Sequence, residues 1–167
     1  MDFEIKQSEA NDNAEPIKAN LPNLIVKVKK LHPNATLPFY SHEGEDMCCD
    51  LKAVDYHYDA VNDNFVYHTG WAFEVPKGYG MLLFPRSSNC NTEAYMTNHV
   101  GIIDSGYRGE VLVIFKNRQR NMRKAPYSIG DKIAQIAIIP YPTIKFVEAE
   151  ELTPSKRGEG GHGSTGK

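Results

Sequence analysis

An all-β domain is what this sequence predicts, and three observations carry that expectation. The apolar stretches are short and rich in β-branched and aromatic residues. Turn signals separate them at roughly even spacing. Ten prolines and thirteen glycines are scattered so that few windows could host a long helix. Many short strands in this pattern suggest a sandwich, jelly roll or small barrel.

The series opens with LIVKVK at 24–29 and continues with CDLKAV at 49–54, WAFEV at 71–75 and YGMLLF at 79–84. VLVIFK at 111–116, KIAQIAII at 132–139 and TIKFV at 143–147 complete it. The breaks are Pro76-Lys77-Gly78, the stretch from Gly106 to Gly109, Ile129-Gly130-Asp131 and Pro140-Tyr141-Pro142. VLVIFK is apolar on both faces, so burial on both sides is expected, one of them against another subunit. Residues 1–22 are polar, poor in aromatics and punctuated by Pro16 and Pro22, which predicts a mobile N-terminal tail. Residues 23–153 form the β-rich domain, and 154–167, with five glycines in the last ten positions, form a flexible arm.

Composition removes whole classes of function. A chain of 167 residues can bury about two thirds of the surface exposed by its unfolded form, enough for one core without staples. No apolar run approaches the roughly 18–20 residues of a membrane span, and the opening stretch has no apolar signal core. The expected setting is therefore cytoplasmic, that of a host cell if the source is a virus or phage. A net charge of −2 excludes a globally basic nucleic-acid coat. The basic run KNRQRNMRK at 116–124 has no interleaved aromatics, so nucleic-acid binding is not expected. Cys48, Cys49 and Cys90 match no metal or disulfide spacing and read as reduced, unreactive thiols. The six histidines show no zinc-ligand pattern.

Several short segments could carry chemistry. Gly161-His162-Gly163-Ser164-Thr165-Gly166-Lys167 fits the start of a phosphate-binding P-loop. It lacks the following hydroxyl and helix, so a P-loop NTPase is rejected. Its glycine-rich backbone and the Ser164 and Thr165 hydroxyls could still face an anion, or form only a loose tail. Arg86, Ser87 and Ser88 follow a strand, where a guanidinium fork and two hydroxyls suit a phosphate but also an ordinary turn. Asp104 follows Gly101-Ile102-Ile103 and precedes a glycine-containing turn. A carboxylate held there could take a proton from water, or simply cap the turn. Gln135 interrupts an apolar strand and needs a partner, either across the sheet or on a ligand.

The order of these segments is more specific than any one of them. Asp46-Met-Cys-Cys-Asp50-Leu-Lys-Ala53, Pro85-Arg-Ser-Ser88, Gly101 to Glu110, Gly130-Asp-Lys-Ile-Ala-Gln135 and Arg157 to Gly166 together resemble the five ordered motifs of the trimeric dUTPases. The likeness spans about residues 24–167.

The resemblance implies a jelly-roll-like subunit (the β-clip) and a homotrimer whose swapped C-terminal arm closes as a lid over a neighbour's site. It implies hydrolysis of dUTP to dUMP and pyrophosphate with Mg2+, limiting uracil in DNA and supplying dUMP. By the same resemblance, Asp104 would activate the attacking water and Tyr107 would stack under the deoxyribose. Asn98, with the backbone of Gly101, Ile102, Ile103 and Asp104, would read the uracil. Arg86, Ser87, Ser88 and Gln135 would hold the phosphates, and Asp50 would meet the magnesium through water. Arg157, Gly163, Ser164 and Thr165 would close over the phosphate chain. His162 stands where the family usually carries a phenylalanine that stacks on the base, so stacking there is expected to be weaker and pH-dependent. A sister family, the dCTP deaminases, needs a glutamate where this chain has Ile114, so deamination is disfavoured.

Overall fold

The computed structural model describes residues 24–119 and 122–161 of the chain. Among them are nine strands: β1 (Lys27–Lys30), β2 (Cys49–Lys52), β3 (Asp55–Asp59), β4 (Asn64–Glu74), β5 (Tyr79–Pro85), β6 (Ala94–Met96), β7 (Gly101–Ile103), β8 (Glu110–Asn117) and β9 (Lys132–Pro140). One short 3-10 turn, Ser87–Asn91, follows β5. The all-β expectation therefore holds. One sheet runs β1-β4-β8-β6 with β3 also on β4, and the other runs β2-β9-β5-β7. All named pairings are antiparallel.

The core lies between the sheets. Phe65, Tyr67, Phe73, Val113 and Phe115 come from one, and Leu51, Met81, Leu83, Ile133 and Ile136 from the other, all buried in one cluster. Large apolar side chains buried like this contribute about 1.5–3 kcal/mol each. Tyr67 is the polar exception, and its hydroxyl is satisfied: it donates to the Tyr127 carbonyl at 2.8 Å and accepts the Tyr127 N–H at 3.0 Å.

β4 is long because its two halves take different partners on one edge. Its first half pairs with β3 and its second with β1. On the other edge its register to β8 shifts between His68 and Ala72, which is a bulge. Gly70 sits in that bulge at φ 72°, where side chains are disfavoured. Its carbonyl accepts the Leu31 N–H at 2.8 Å, and its N–H donates to Glu110 Oε1 at 2.7 Å.

Two differences from the sequence reading appear, in TIKFV and in the strands not expected. TIKFV at 143–147 is not a strand: among the described residues of the chain it has no ladder partner, and Ile144, Phe146 and Val147 are exposed. β-branched and aromatic composition makes a strand only where an edge is available to pair with. Within one chain VLVIFK covers one face, with Val111, Val113 and Phe115 buried and Leu112 37% exposed, which leaves the face expected to meet another subunit open. Finally, β3, β6, β7 and the first half of β4 were not anticipated. The N-terminal tail at 1–22 lies outside the described residues.

A Cβ on residue 70 would lie 2.8 Å from the Cβ atoms of both Ala35 and His32. Adding the left-handed backbone penalty, Gly70→Ala is expected to cost at least about 2 kcal/mol, read by urea unfolding.

Candidate active site

Two hollows hold most of the residues singled out by the sequence. The first encloses about 240 Å³ and is lined by Asn98, Gly101, Ile102, Ile103, Asp104 and Tyr107, among others. Edge strand β7 builds it by pairing with β5, Ile102 opposite Leu82. Gly101 allows the close approach, because a Cβ there would sit 3.1 Å from Leu83 Cβ and 3.2 Å from Asn98 Nδ2. Just past β7 the chain turns, closed by the Tyr107 N–H donating to the Asp104 carbonyl at 3.0 Å. Tyr107 is then tied down by its hydroxyl, which donates to the Glu110 carbonyl at 3.0 Å. Its ring lies over Gly109, where a Cβ would overlap it.

Asp104 is exposed at the mouth of this hollow. Among the described residues its carboxylate has no hydrogen-bond or ion-pair partner. An unpaired carboxylate on a tight turn can accept a hydrogen bond, and then a proton, from a water in the hollow.

The second hollow, about 330 Å³, is lined by Ser41, His42, Asp46, Asp50, Arg86 and Gln135, among others. Its centre is a buried ion cluster. Asp50 Oδ1 accepts from Arg86 Nε at 2.7 Å, and Oδ2 faces Lys132 Nζ at 2.8 Å and Ser41 Oγ at 3.2 Å. Register makes this possible, because Asp50 on β2 lies directly opposite Gln135 on β9, which lies opposite Phe84 on β5, two residues before Arg86. Burial alone would raise the Asp50 pKa, but hydrogen bonds and attraction from Lys132 and Arg86 outweigh it and hold the carboxyl below its usual value. Because Asp50 uses the Nε of Arg86, the terminal guanidinium nitrogens stay available, Nη1 reaching Ser88 Oγ at 3.2 Å. The fork is thus aimed but unsaturated. Gln135 donates from Nε2 to the Pro85 carbonyl at 3.0 Å, a cross-strand bond that leaves its amide oxygen free of a protein partner among the described residues.

Both Asp50 oxygens are already committed to cations, so direct ligation of a metal there is disfavoured and contact through water fits better. Among the described residues no group of three or more His, Cys, Asp or Glu side chains converges as a metal cluster.

The two hollows lie toward opposite ends of β5. β7 runs antiparallel to β5 with Ile103 opposite Met81, so Asp104 falls beside Gly80. Arg86 lies beyond the other end of β5. Six residues of strand at about 3.3 Å each separate them by ~20 Å.

The remaining predicted residues are placed as follows. Ser87 and Ser88 are exposed at the start of the 3-10 turn after β5. Arg157 is exposed, its Nε donating to the Gly160 carbonyl at 2.8 Å. His162, Gly163, Ser164 and Thr165 lie outside the described residues. Lys132 and Glu110 were missed as contributors. A lysine beginning a strand and a glutamate ending a turn carry no signal until the sheets bring them to their partners. The thiols of Cys48 and Cys49 are pushed up, first by burial, in keeping with inert cysteines.

Comparison with known proteins gives a consistent picture. Residues 35–166 match the dUTPase family model. A deoxyuridine 5'-triphosphate nucleotidohydrolase of Solibacter usitatus is 38% identical over 149 residues, covering 85% of this chain and 96% of that protein. Its counterpart in Thermobifida fusca is 36% identical, covering 84% and 78%. In structure, the chain is similar to a Staphylococcus bacteriophage 80alpha dUTPase mutant with dUpNHpp, at TM-score 0.72 and 26% identity over 86% of this chain and 99% of that one. A phage phi11 dUTPase mutant with a coordinated structural Mg(II) ion shares the fold at TM-score 0.62 and 24% identity, covering 76% and 97%.

The Asp50 cluster makes a prediction about acid stability. A carboxyl whose folded pKa lies below its unfolded value of about 4 stabilises fully above that value and loses the contribution as pH falls through the folded pKa. Asp50→Asn is expected to show a shallower loss of unfolding free energy than wild type below about pH 4, measured by urea titration at each pH.

Proposed function

The chain belongs to the dUTPase family and is a dUTP diphosphatase, giving dUMP and pyrophosphate; from that premise we propose how its own residues carry the reaction. The observation behind the proposal is the exposed, unpaired carboxylate of Asp104 on the rim of a hollow that also presents Asn98, Tyr107 and the backbone of 101–104. The uracil and deoxyribose enter that hollow. Asn98 and the main chain of Gly101 to Asp104 supply donors and acceptors to the base edge, and the Tyr107 ring supports the sugar, leaving no space for a 2′-hydroxyl. Asp104 accepts a proton from a water as its oxygen bonds to the α-phosphorus. The bond from that phosphorus to the bridging oxygen breaks, and pyrophosphate leaves.

Arg86, Ser87, Ser88 and Gln135 hold the departing phosphates. Asp50 and Lys132 act on them indirectly, by fixing the direction of the Arg86 guanidinium. Magnesium bound to the triphosphate oxygens would supply charge neutralisation, with Asp50 meeting it through water. Arg157, exposed on the described part of the arm, would add a guanidinium to the phosphate chain.

The ~20 Å between Asp104 and Arg86 exceeds what one polyphosphate can bridge while its base stays in the first hollow. A working site therefore draws these two residues from different copies, as a homotrimer allows. Other features agree. Leu112 on the outer face of β8 is 37% exposed, and Ile144, Phe146 and Leu152 beyond β9 are 67%, 90% and 89% exposed, apolar area that a neighbouring copy would cover.

Asp104→Asn is expected to reduce kcat for pyrophosphate release at least about 100-fold while dUTP affinity changes little. Retained turnover would remove Asp104 from the general-base role. Each of Asp104→Asn and Arg86→Ala is expected to be inactive alone, yet the two co-refolded should regain activity through mixed assemblies. No recovery would place both residues in one chain's site.

A further inference from the structure

Behind the first hollow, three side chains from three strands form a file that the mechanism above does not use. Glu110, the first residue of β8, is half-buried, and its backbone carbonyl receives the Tyr107 hydroxyl at 3.0 Å. Its carboxylate points the other way: Oε1 accepts the bulge amide of Gly70 at 2.7 Å, and Oε2 lies 2.9 Å from His68 Nδ1. His68 Nε2 in turn lies 3.3 Å from His57 Nδ1, with the two rings 5.4 Å apart.

Chemistry sets the direction of this file. An ionised carboxylate only accepts, so His68 Nδ1 carries the hydrogen toward Glu110. In a neutral ring Nε2 is then the acceptor, and His57 donates to it from Nδ1. All three bonds point toward one carboxylate, which bridges the start of β8 to the irregular point of β4. The ladder is interrupted there between His68 and Ala72, so side chains must do part of what backbone pairing does elsewhere.

We infer that His68 is a positioning residue for the nucleoside half of the active site: by holding the Glu110 carboxylate, it fixes the segment on which Tyr107 is anchored. His68 touches no substrate. It sets how closely the Tyr107 ring approaches the sugar, and so contributes to binding and to rejection of the 2′-hydroxyl, not to the chemical step. The inference rests on the proposed place of Tyr107 in the site.

The test compares His68→Leu with His68→Asn, whose amide can donate to Glu110 from nearly the position of Nδ1. His68→Leu is expected to raise KM for dUTP about fivefold, in keeping with one charge-assisted hydrogen bond in a partly exposed setting. It should also lower the preference for dUTP over UTP, with kcat changed less than about twofold. His68→Asn should restore both KM and preference. An unchanged KM and preference in His68→Leu overturns the inference, as does an equal loss in both variants, which would mean ring packing matters and not the bond. If His68→Leu does not fold, Glu110→Gln decides: it keeps an acceptor for Gly70 but loses the charge facing His68, and an unmoved KM overturns the inference. Wild-type turnover of dUTP is the control. Its absence would overturn the active-site reading itself, whereas normal wild-type turnover with unmoved variants overturns this inference alone.

Discussion

The antiparallel register of β5 governs the functional geometry of this molecule. One neighbour, β7, delivers Asp104 past one end of β5, and the other, β9, delivers Gln135 near the opposite end, where Arg86 begins the next turn. A one-residue slip would send Ile102 and Gln135 to the core side and Met81 to solvent. Met81, Leu83, Ile133 and Ile136 are buried, so such a slip would expose several large apolar side chains at once. Core packing thus holds Asp104, Gln135 and Arg86 in place although none of them is in the core.

Within that frame the two hollows, proposed above as the nucleoside and phosphate halves of the site, are stabilised by different physics. The nucleoside half is mostly backbone geometry: a tight turn at 104–107, a glycine pressed on Leu83 and an aromatic ring tied to a carbonyl. It is shaped before a ligand arrives, which lowers the entropic cost of binding. The phosphate half is electrostatic. A buried carboxylate costs free energy unless it is paired, and Asp50 is paired twice. Its partners are held with it, so the Arg86 guanidinium, proposed above to meet the phosphates, is restricted in advance. Asp50 is best understood as an organiser of cations and not as a metal ligand in its own right.

Much of this was legible in the sequence, and the gaps have identifiable causes. β5, β8 and β9 stand out because YGMLLF, VLVIFK and KIAQIAII are dense in core-forming side chains. β3 reads DYHYD, whose two aspartates and histidine disfavour a strand until the edge of β4 pairs with it. β6 and β7 have three residues each, too few for any periodic signal. TIKFV has the composition of a strand without a partner in its own chain, so local propensity pointed one way and tertiary context the other. The motif order singled out Asp50, Arg86, Asp104, Tyr107 and Gln135, of which Asp104 and Tyr107 line one hollow and Asp50, Arg86 and Gln135 the other. It could not reveal that Lys132 shares the Asp50 carboxylate, because that contact joins the start of β9 to β2 across a sheet.

The composition of the second hollow has one further consequence. Arg86 in the lining and Lys132 against its Asp50 bring two positive charges, and Asp50 and Asp46 two negative ones. These four charges cancel, so the hollow exerts little long-range pull on anions in general. In its proposed role as the phosphate cradle, the hollow would give a newly released product no strong field drawing it back. Capture depends instead on directional contacts made at short range, which favours clearing the cradle between turnovers.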